Sequence, residues 1–480
     1  MKHDRIVVWF RNDLRLEDNE TLTRALQQGK EIIPVYCFDS RHFESTSLGF
    51  PKTGAFRAQF LLESVADLRQ SFQKIGGDLV TLHGSPEEMV PKFAKQVGAT
   101  AIYFSKEVTS EEREVNKALE EIAFSQGIAC ESFWQSTLYH KDDLPFPIRQ
   151  TPEVFTQFRK EVEKGCKIRT SFPSPKQISY PGKAVIPDAG ELLPLTTYGL
   201  EYRKQAQQSW LDVRGGESAA QERLQSYFWE KDLLKNYKQT RNGLIGMDYS
   251  SKLSPSLALG CISPRSIYEE VNRYEKERVK NDSTYWLVFE LIWRDYFRFI
   301  AKKHGVKIFQ VSGIRNQMDS WRRDKAQFQR WAEGLTGVPF VDANMRELNA
   351  TGFMSNRGRQ LVASFLVNDL GIDWTWGARY FESMLVDYDV CSNWGNWMYV
   401  GGVGNDPREN RYFNILRQAS TYDKKGDFVR LWIPELQAIT GFDIHQPWEL
   451  STAELRNLKI QLGHSYPHAL GKIPALEKAY

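Results

Sequence analysis

Residues 341–400 read VDANMRELNATGFMSNRGRQLVASFLVNDLGIDWTWGARYFESMLVDYDVCSNWGNWMYV, and the rest of the chain is built around this stretch. Fixed charges and amides (Asn344, Arg346, Asn356, Arg357, Arg359, Asp387, Asp389, Asn393) are interleaved there with apolar runs such as LVASFLV. A buried charge is costly unless it is paired or engaged by a ligand, so the pattern suggests a lined pocket. The stretch also carries Trp374, Trp376, Trp394 and Trp397. An aromatic helical core is the plainer reading, and composition alone favours it.

The chain has 480 residues, which is too long for one ordinary core, so two or more domains are expected. Hydrophobic residues make up 41% and charged residues 26%, the balance of a globular chain. A net charge of +3 is too small to imply a polyanion partner by itself. The cysteines Cys37, Cys130, Cys166, Cys261 and Cys391 are scattered and form no C-x-x-C pair. Reduced thiols in a cytoplasm-like compartment are therefore expected, and neither a disulfide frame nor a zinc site is. No apolar run reaches the length of a membrane span, and the N-terminus does not resemble a secretory signal. A cytoplasmic monomer is expected, with an organellar or nucleoid-associated location as the eukaryotic alternative.

Upstream, strand and helix patterns alternate. Strand-length apolar runs lie at 5–10, 31–37, 78–83, 101–105 and 128–133, with helical spacing at 19–28, 57–74, 86–97 and 110–125. This order predicts an α/β domain over 1–134, a doubly wound parallel five-stranded sheet. No G-x-G-x-x-G follows the first strand; RNDLR (11–15) stands there, which argues against an ordinary dinucleotide site. Over 135–216 periodicity fades and Pro173, Pro175, Pro181, Pro187 and Pro194 accumulate, reading as a connector between domains. Helical spacing dominates 217–480, with candidate helices at 219–229, 255–259, 264–280, 284–304, 325–334, 341–351, 356–370 and 375–385. All but three of the 14 Trp (Trp9, Trp134, Trp210) fall in this part.

Each motif has a plain reading. Ser250, Ser251 and Ser254, with Lys252 among them, could hold a phosphate before Pro255, or simply cap a helix. Glu290 and Arg294 stand at i, i+4, where a surface ion pair is the ordinary outcome. Trp293 between them offers a stacking plane and a polar edge. Arg322, Arg323, Arg408 and Arg411 could line a phosphate-binding face, or be solvated among Asp319, Asp324, Asp406 and Glu409. G-x-x-x-x-G-K-[ST], H-E-x-x-H and G-x-S-x-G are all absent.

Taken together, these motifs resemble the photolyase/cryptochrome family over nearly the whole chain, most closely its DASH cryptochrome branch. The resemblance rests on WFRNDLR (9–15), TGVPFVDANMR (336–346), GFMSNRGRQ (352–360), DYDVCSNWGNW (387–397) and NWGNWMYVGGVGNDPR (393–408). It implies an α/β domain followed by an all-α FAD-binding domain. Tyr237, Arg241, Ser250, Ser251, Leu253 and Ser254 would lie at the cofactor's diphosphate end. Arg359 and Asp387 would pair against the flavin ring, with Asp389 on its N3–H side and Asn356 and Asn393 near N5. Trp397, Trp374 and Trp321 would form an electron-transfer chain. Glu290 and Trp293 would contact a cyclobutane pyrimidine dimer, Glu290 donating or sharing a proton with its carbonyl.

Tyr399 and Gln360 stand where photolyases acting on duplex DNA have tryptophan and methionine. The weaker stacking surface implies a preference for single-stranded DNA. A 5,10-methenyltetrahydrofolate antenna is expected at the domain interface, with Glu107 and its neighbours Lys106 and Glu111 as the region to watch. The expectation is light-driven electron-transfer repair of pyrimidine dimers in single strands. A blue-light photoreceptor or DNA-binding regulator without repair is the alternative, and a helical DNA-binding protein without flavin a third. Ending at Tyr480, without a long polar tail, favours the first of these expectations.

Overall fold

The computed structural model describes residues 2–471 except 205, 207, 208, 210, 318, 319, 409 and 410. Trp210, Asp319, Glu409 and the end at Tyr480 lie outside the described residues.

The N-terminal part is a five-stranded sheet of β1 (His3–Phe10), β2 (Gly29–Phe38), β3 (Val80–His83), β4 (Ala101–Ser105) and β5 (Ala129–Phe133). The order is β3-β2-β1-β4-β5 and every pairing is parallel. The central strand shows why a continuous apolar run was the right signal. Ile6, Val8 and Phe10 face one core, while Val7 and Trp9 face the other. A strand covered on both sides has no polar face. The helices Glu20–Gln28, Ala55–Lys74, Pro86–Gln96 and Ser110–Ser125 supply the covers. Asn19 caps the first of them by accepting from the Leu22 amide at 3.0 Å. Strand order reverses beside β1, so Arg11, Asn12 and Glu107 follow the strand ends at the topological switch point.

The connector departs from expectation. It contains the helix Phe155–Gly165, with Phe155, Phe158 and Val162 buried. That i, i+3, i+7 stripe is short, and the prolines further on obscured it. Phe155 stacks on Trp293 with ring centres 3.5 Å apart, and Phe158 packs against Tyr296 and Phe299. The later connector bonds to the sheet part: the Ile32 amide donates to Ser179 and the Thr81 amide to Ala189, both at 2.8 Å.

The helical part is organised around Asp282–His304, which runs beside Val390–Val400 and Pro264–Glu277. The expected helices 219–229 and 356–370 both end in π-helical turns, Ser226–Glu230 and Phe365–Asp369. Helices at Val390–Val400, Ile415–Tyr422, Asp427–Trp432 and Thr452–Asn457 were not foreseen. The first is fixed by a cap, Asp389 accepting from the Ser392 amide at 2.8 Å. No helix among the described residues is long and apolar enough to cross a membrane.

The segment RNDLR forms the seam between the two parts. The Leu14 amide donates to Leu259 at 3.2 Å, and Arg15 donates to the Gly260 carbonyl at 2.9 Å. Nearby, Asp18 and Arg265 make a fully buried ion pair at 2.5 Å. Gly260 has φ +66°, and a Cβ there would stand 2.0 Å from the Asn12 carbonyl oxygen. Only glycine permits that approach.

Candidate active site

A cavity of about 340 Å³ opens in the helical part, within the size range of small-molecule and cofactor clefts. The helix Asp282–His304 contributes Glu290, Trp293 and Arg294 to its wall. Asn356 and Arg359 come from Asn356–Ser364, and Asn393, Trp397 and Tyr399 from Val390–Val400. The loop before that last helix brings Asp387 and Asp389, and the turn of Ser250, Ser251, Leu253 and Ser254 closes the opposite side with Tyr237 and Arg241. Residues spread over more than 160 positions thus meet at one void.

Arg359 and Asp387 pair at 2.8 Å. Ser254 donates its hydroxyl to the same Asp387 oxygen at 2.7 Å. The other oxygen, Oδ1, is buried without a partner. A buried acceptor left unpaired is uncommon and marks a place where a bound donor would be stabilised. The serine turn is held from behind: Arg223 donates to the Ser251 carbonyl at 2.8 Å and to the Ser250 carbonyl at 3.0 Å. Asp389 faces Arg298 at 3.3 Å and Arg294 at 3.9 Å. Burial works to raise its carboxyl, but the two guanidiniums together with hydrogen bonds from Ser392 outweigh it and hold the group below the usual range.

Glu290 is paired with Arg241, not with Arg294. The local i, i+4 pair expected as the ordinary outcome is therefore not formed. Arg294 turns instead to the Ser136 carbonyl and, at 3.1 Å, to that of Leu257. Arg241, grouped by sequence with the serine turn, spends its charge on Glu290. The Trp286 indole also donates to Glu290, at 3.1 Å. Burial raises the Glu290 carboxyl, and the Arg241 charge opposes this only in part. A carboxyl tuned upward is suited to sharing a proton. Trp293 has one face covered by Phe155 and meets Tyr399 edge-on, ring centres 6.1 Å apart. Asn393 donates to the Ala378 carbonyl at 3.0 Å, which fixes its amide in the wall.

Of the three tryptophans expected to form the electron-transfer chain, Trp397 lines the cavity, while Trp374 and Trp321 lie outside the lining. Trp397 packs over Gly377, where a Cβ would come within 2.1 Å of the ring. Trp374 starts the same helix, Trp374–Met384, one turn earlier, and donates to the Val311 carbonyl at 3.0 Å. The segment carrying Trp321 pairs with the backbone just before Trp374: the Arg322 amide donates to Gly371 at 2.8 Å and the Asp373 amide to Arg322 at 3.0 Å.

The outlying positions divide. Arg411 reaches the cavity, pairs with Asp406 at 2.8 Å and lies over the Tyr399 ring at 5.5 Å. Arg322 bonds to the Leu370 carbonyl and Asp324, Arg323 faces Asp373 at 3.5 Å, and Arg408 is exposed; none of the three lines the cavity. Glu107 is buried, bound to Arg298 at 2.7 Å. Lys106 is half-buried, and Glu111 is exposed and paired with Lys52 at 2.8 Å.

Lys252 was noted in sequence only with the serines of its turn, as a group that could hold phosphate, and Glu347 was missed. Lys252, in left-handed backbone (φ +55°), lies over the Tyr249 ring at 3.4 Å and the Phe353 ring at 4.2 Å, in the cavity wall. Glu347 is near it, and burial pushes its carboxyl up to about 8. Arg298 was also overlooked. Its spacing from Glu290 and Arg294, i+8 and i+4 on one helix, was the available signal.

Residues 6–176 match the family model described as DNA photolyase, and 286–478 that described as the FAD binding domain of DNA photolyase. The chain is 53% identical over 473 residues to a protein named Cryptochrome DASH from Synechocystis sp., covering 97% of this chain and 95% of that one. A Cryptochrome DASH of Xenopus laevis is 51% identical, covering 98% and 90%. The crystal structure of a Synechocystis sp. cryptochrome superposes with a TM-score of 0.92 at 50% identity, covering 98% of each chain.

Proposed function

The chain belongs to the photolyase/cryptochrome family, in its cryptochrome DASH group, and from that premise we propose that it repairs cyclobutane pyrimidine dimers in single-stranded DNA using blue light. It carries the family's FAD-binding domain. The cavity suits that cofactor: the unpaired Asp387 oxygen offers an acceptor to a ring N–H, Arg359 offers a cation, and Trp397 an aromatic wall. When bound in reduced form, FAD supplies the light-excited electron that opens the cyclobutane ring, and the electron is returned, so that no net redox change results.

The protein's own residues provide position and electrostatics. Arg359 and Asp387 would orient the flavin side of the site. Glu290, its carboxyl raised by burial, would share a proton with a dimer carbonyl. Trp293 and Tyr399 would receive the dimer. One observation carries the reading: these lesion-facing residues line the same void as the Arg359–Asp387 pair. Trp293 has one face covered by Phe155, and Tyr399 is smaller than tryptophan, so little stacking surface offsets the few kcal/mol of base flipping from a duplex. That supports the preference for single strands.

The test is an absorption spectrum followed by repair assays on matched single- and double-stranded oligonucleotides. Faster repair of the single strand is expected, and a large loss in Glu290→Gln with flavin retained. Irradiated, reduced protein that leaves dimers intact in single strands overturns the proposal. We also propose a pterin antenna, 5,10-methenyltetrahydrofolate, against the loop after β4. Lys106 and Glu111 are the accessible groups there, whereas Glu107 is buried between Arg298 and Asn12. A second near-ultraviolet band lost on Glu111→Ala would support it, and pure protein with flavin bands alone would overturn it.

A further inference from the structure

A buried row of alternating charges runs from the sheet to the cavity. Its outer end is Glu107, just beyond β4 at the switch point of the sheet. Glu107 accepts from Arg298 at 2.7 Å, and the other arm of the same guanidinium reaches Asp389 at 3.3 Å. Arg294 stands beyond, 3.9 Å from Asp389. The Glu107 and Arg298 side chains are 2% and 3% exposed. Neither touches the cavity, whereas Asp389 and Arg294 line it. The Arg298 Nε is buried without a partner, so the guanidinium's two terminal arms hold the carboxylates. On the sheet side, Glu112 and Asp13 lie within electrostatic reach of Glu107, the Asn12 amide donates to it at 3.5 Å, and Cys391 lies beside Arg298.

We propose that Arg298 is a positioning residue that holds Asp389 ionised in the cavity wall and makes the cavity's potential depend on Glu107, a carboxylate of the other half of the molecule. The inference rests on the flavin reading above. Its physical basis is the weak screening of buried charges, where one uncompensated charge acts over many ångströms. With Glu107 neutral, Arg298 is less compensated and the cavity becomes more positive, which favours the electron-rich, reduced cofactor. With Arg298 neutral, Asp389 and Glu107 are uncompensated, and the oxidised form is favoured. A lysine would have to meet both carboxylates at a single nitrogen, whereas the planar fork gives each its own arm. A link of this kind gives whatever binds beside Glu107 a route to the flavin without touching it.

The test uses full-length flavin-bound protein in wild-type form and as Glu107→Gln, Arg298→Gln and the double variant. The ratio of reduced to oxidised flavin is read spectroscopically in a redox buffer of fixed potential, and the unfolding midpoint is read alongside. Glu107→Gln should move the ratio toward reduced flavin, and Arg298→Gln toward oxidised, each by about threefold or more. The double variant should lie nearer the wild type than either single. A purely structural role would lower the unfolding midpoint without opposite shifts in the ratio. Glu107→Gln keeps its shape and an acceptor oxygen, so it carries the sign test even if Arg298→Gln fails to fold. Shifts in the same direction, or none, in yellow protein overturn this proposal alone. A colourless wild-type chain overturns the flavin reading and this proposal with it.

Discussion

Asp387 carries two duties with one carboxylate: one oxygen holds Arg359 and Ser254, and the other is left for a ligand. Asp387→Asn removes the charge while keeping the shape, and leaves Arg359 without its counter-ion. Breaking such a pair costs about 3 kcal/mol. We expect flavin retention during dialysis to fall by about tenfold or more, measured by absorbance per mole of protein. Glu347 gives a pH dependence. Its carboxyl is raised from 4.5 to about 8 by burial, against the opposing charges of Lys252 and Arg359. The folded state therefore keeps a proton that the unfolded chain loses near the ordinary value. Stability from this group is fully present below about 4.5 and is lost as pH rises through about 8. Glu347→Gln should be close to wild type at acid pH and more stable above pH 8, by a difference on the order of 3 kcal/mol in denaturant titrations. Both sites lie in sequence motifs or beside them, yet only Asp387 was foreseen. Glu347 looks like any helical glutamate until its neighbours are known.

The helix Trp374–Met384 links the cavity tryptophan to the next one. Trp397→Phe should slow photoreduction of oxidised flavin while chemically reduced protein repairs as before; unchanged photoreduction would refute the relay. Gly377 supports the same arrangement sterically, since an added Cβ would fall 2.1 Å from the Trp397 ring and 2.7 Å from Leu366. Gly377→Ala should lower stability by about 2 kcal/mol and alter photoreduction although every tryptophan remains. The helix Phe155–Gly165 tells a different story. Its three buried residues are legible as a stripe only after Trp293 and Tyr296 are known to receive them. Phe155→Ala should cost about 3–4 kcal/mol and free the second face of Trp293, read as a changed tryptophan fluorescence.

At the scale of the molecule, the sheet and the helical part are joined by backbone contacts at Leu14–Leu259 and by the Asp18–Arg265 pair. Gly260→Ala would press a Cβ against the Asn12 carbonyl, and backbone on both sides cannot yield as a side chain can. A loss of about 3 kcal/mol or more is expected in chemical denaturation. The sequence alone determined the elements. Five apolar runs and their spacing specify the parallel sheet, the 3.6-residue periods specify most helices, and the motifs from 336 to 408 supply one wall of the site. These are local properties, set by backbone geometry and by which face must be buried. Apart from Arg359 and Asp387, whose pairing the family resemblance implied, which charge meets which was decided only in the folded molecule. Glu290 takes Arg241 and not its helical neighbour Arg294, and Arg298 spans from Glu107 to Asp389. Such partners are far apart in the chain, and no local pattern encodes them. They are chosen when packing of helix on helix, and for Glu107 of the sheet on the bundle, removes water from both, because a desolvated charge accepts whichever opposite charge the packing brings within reach.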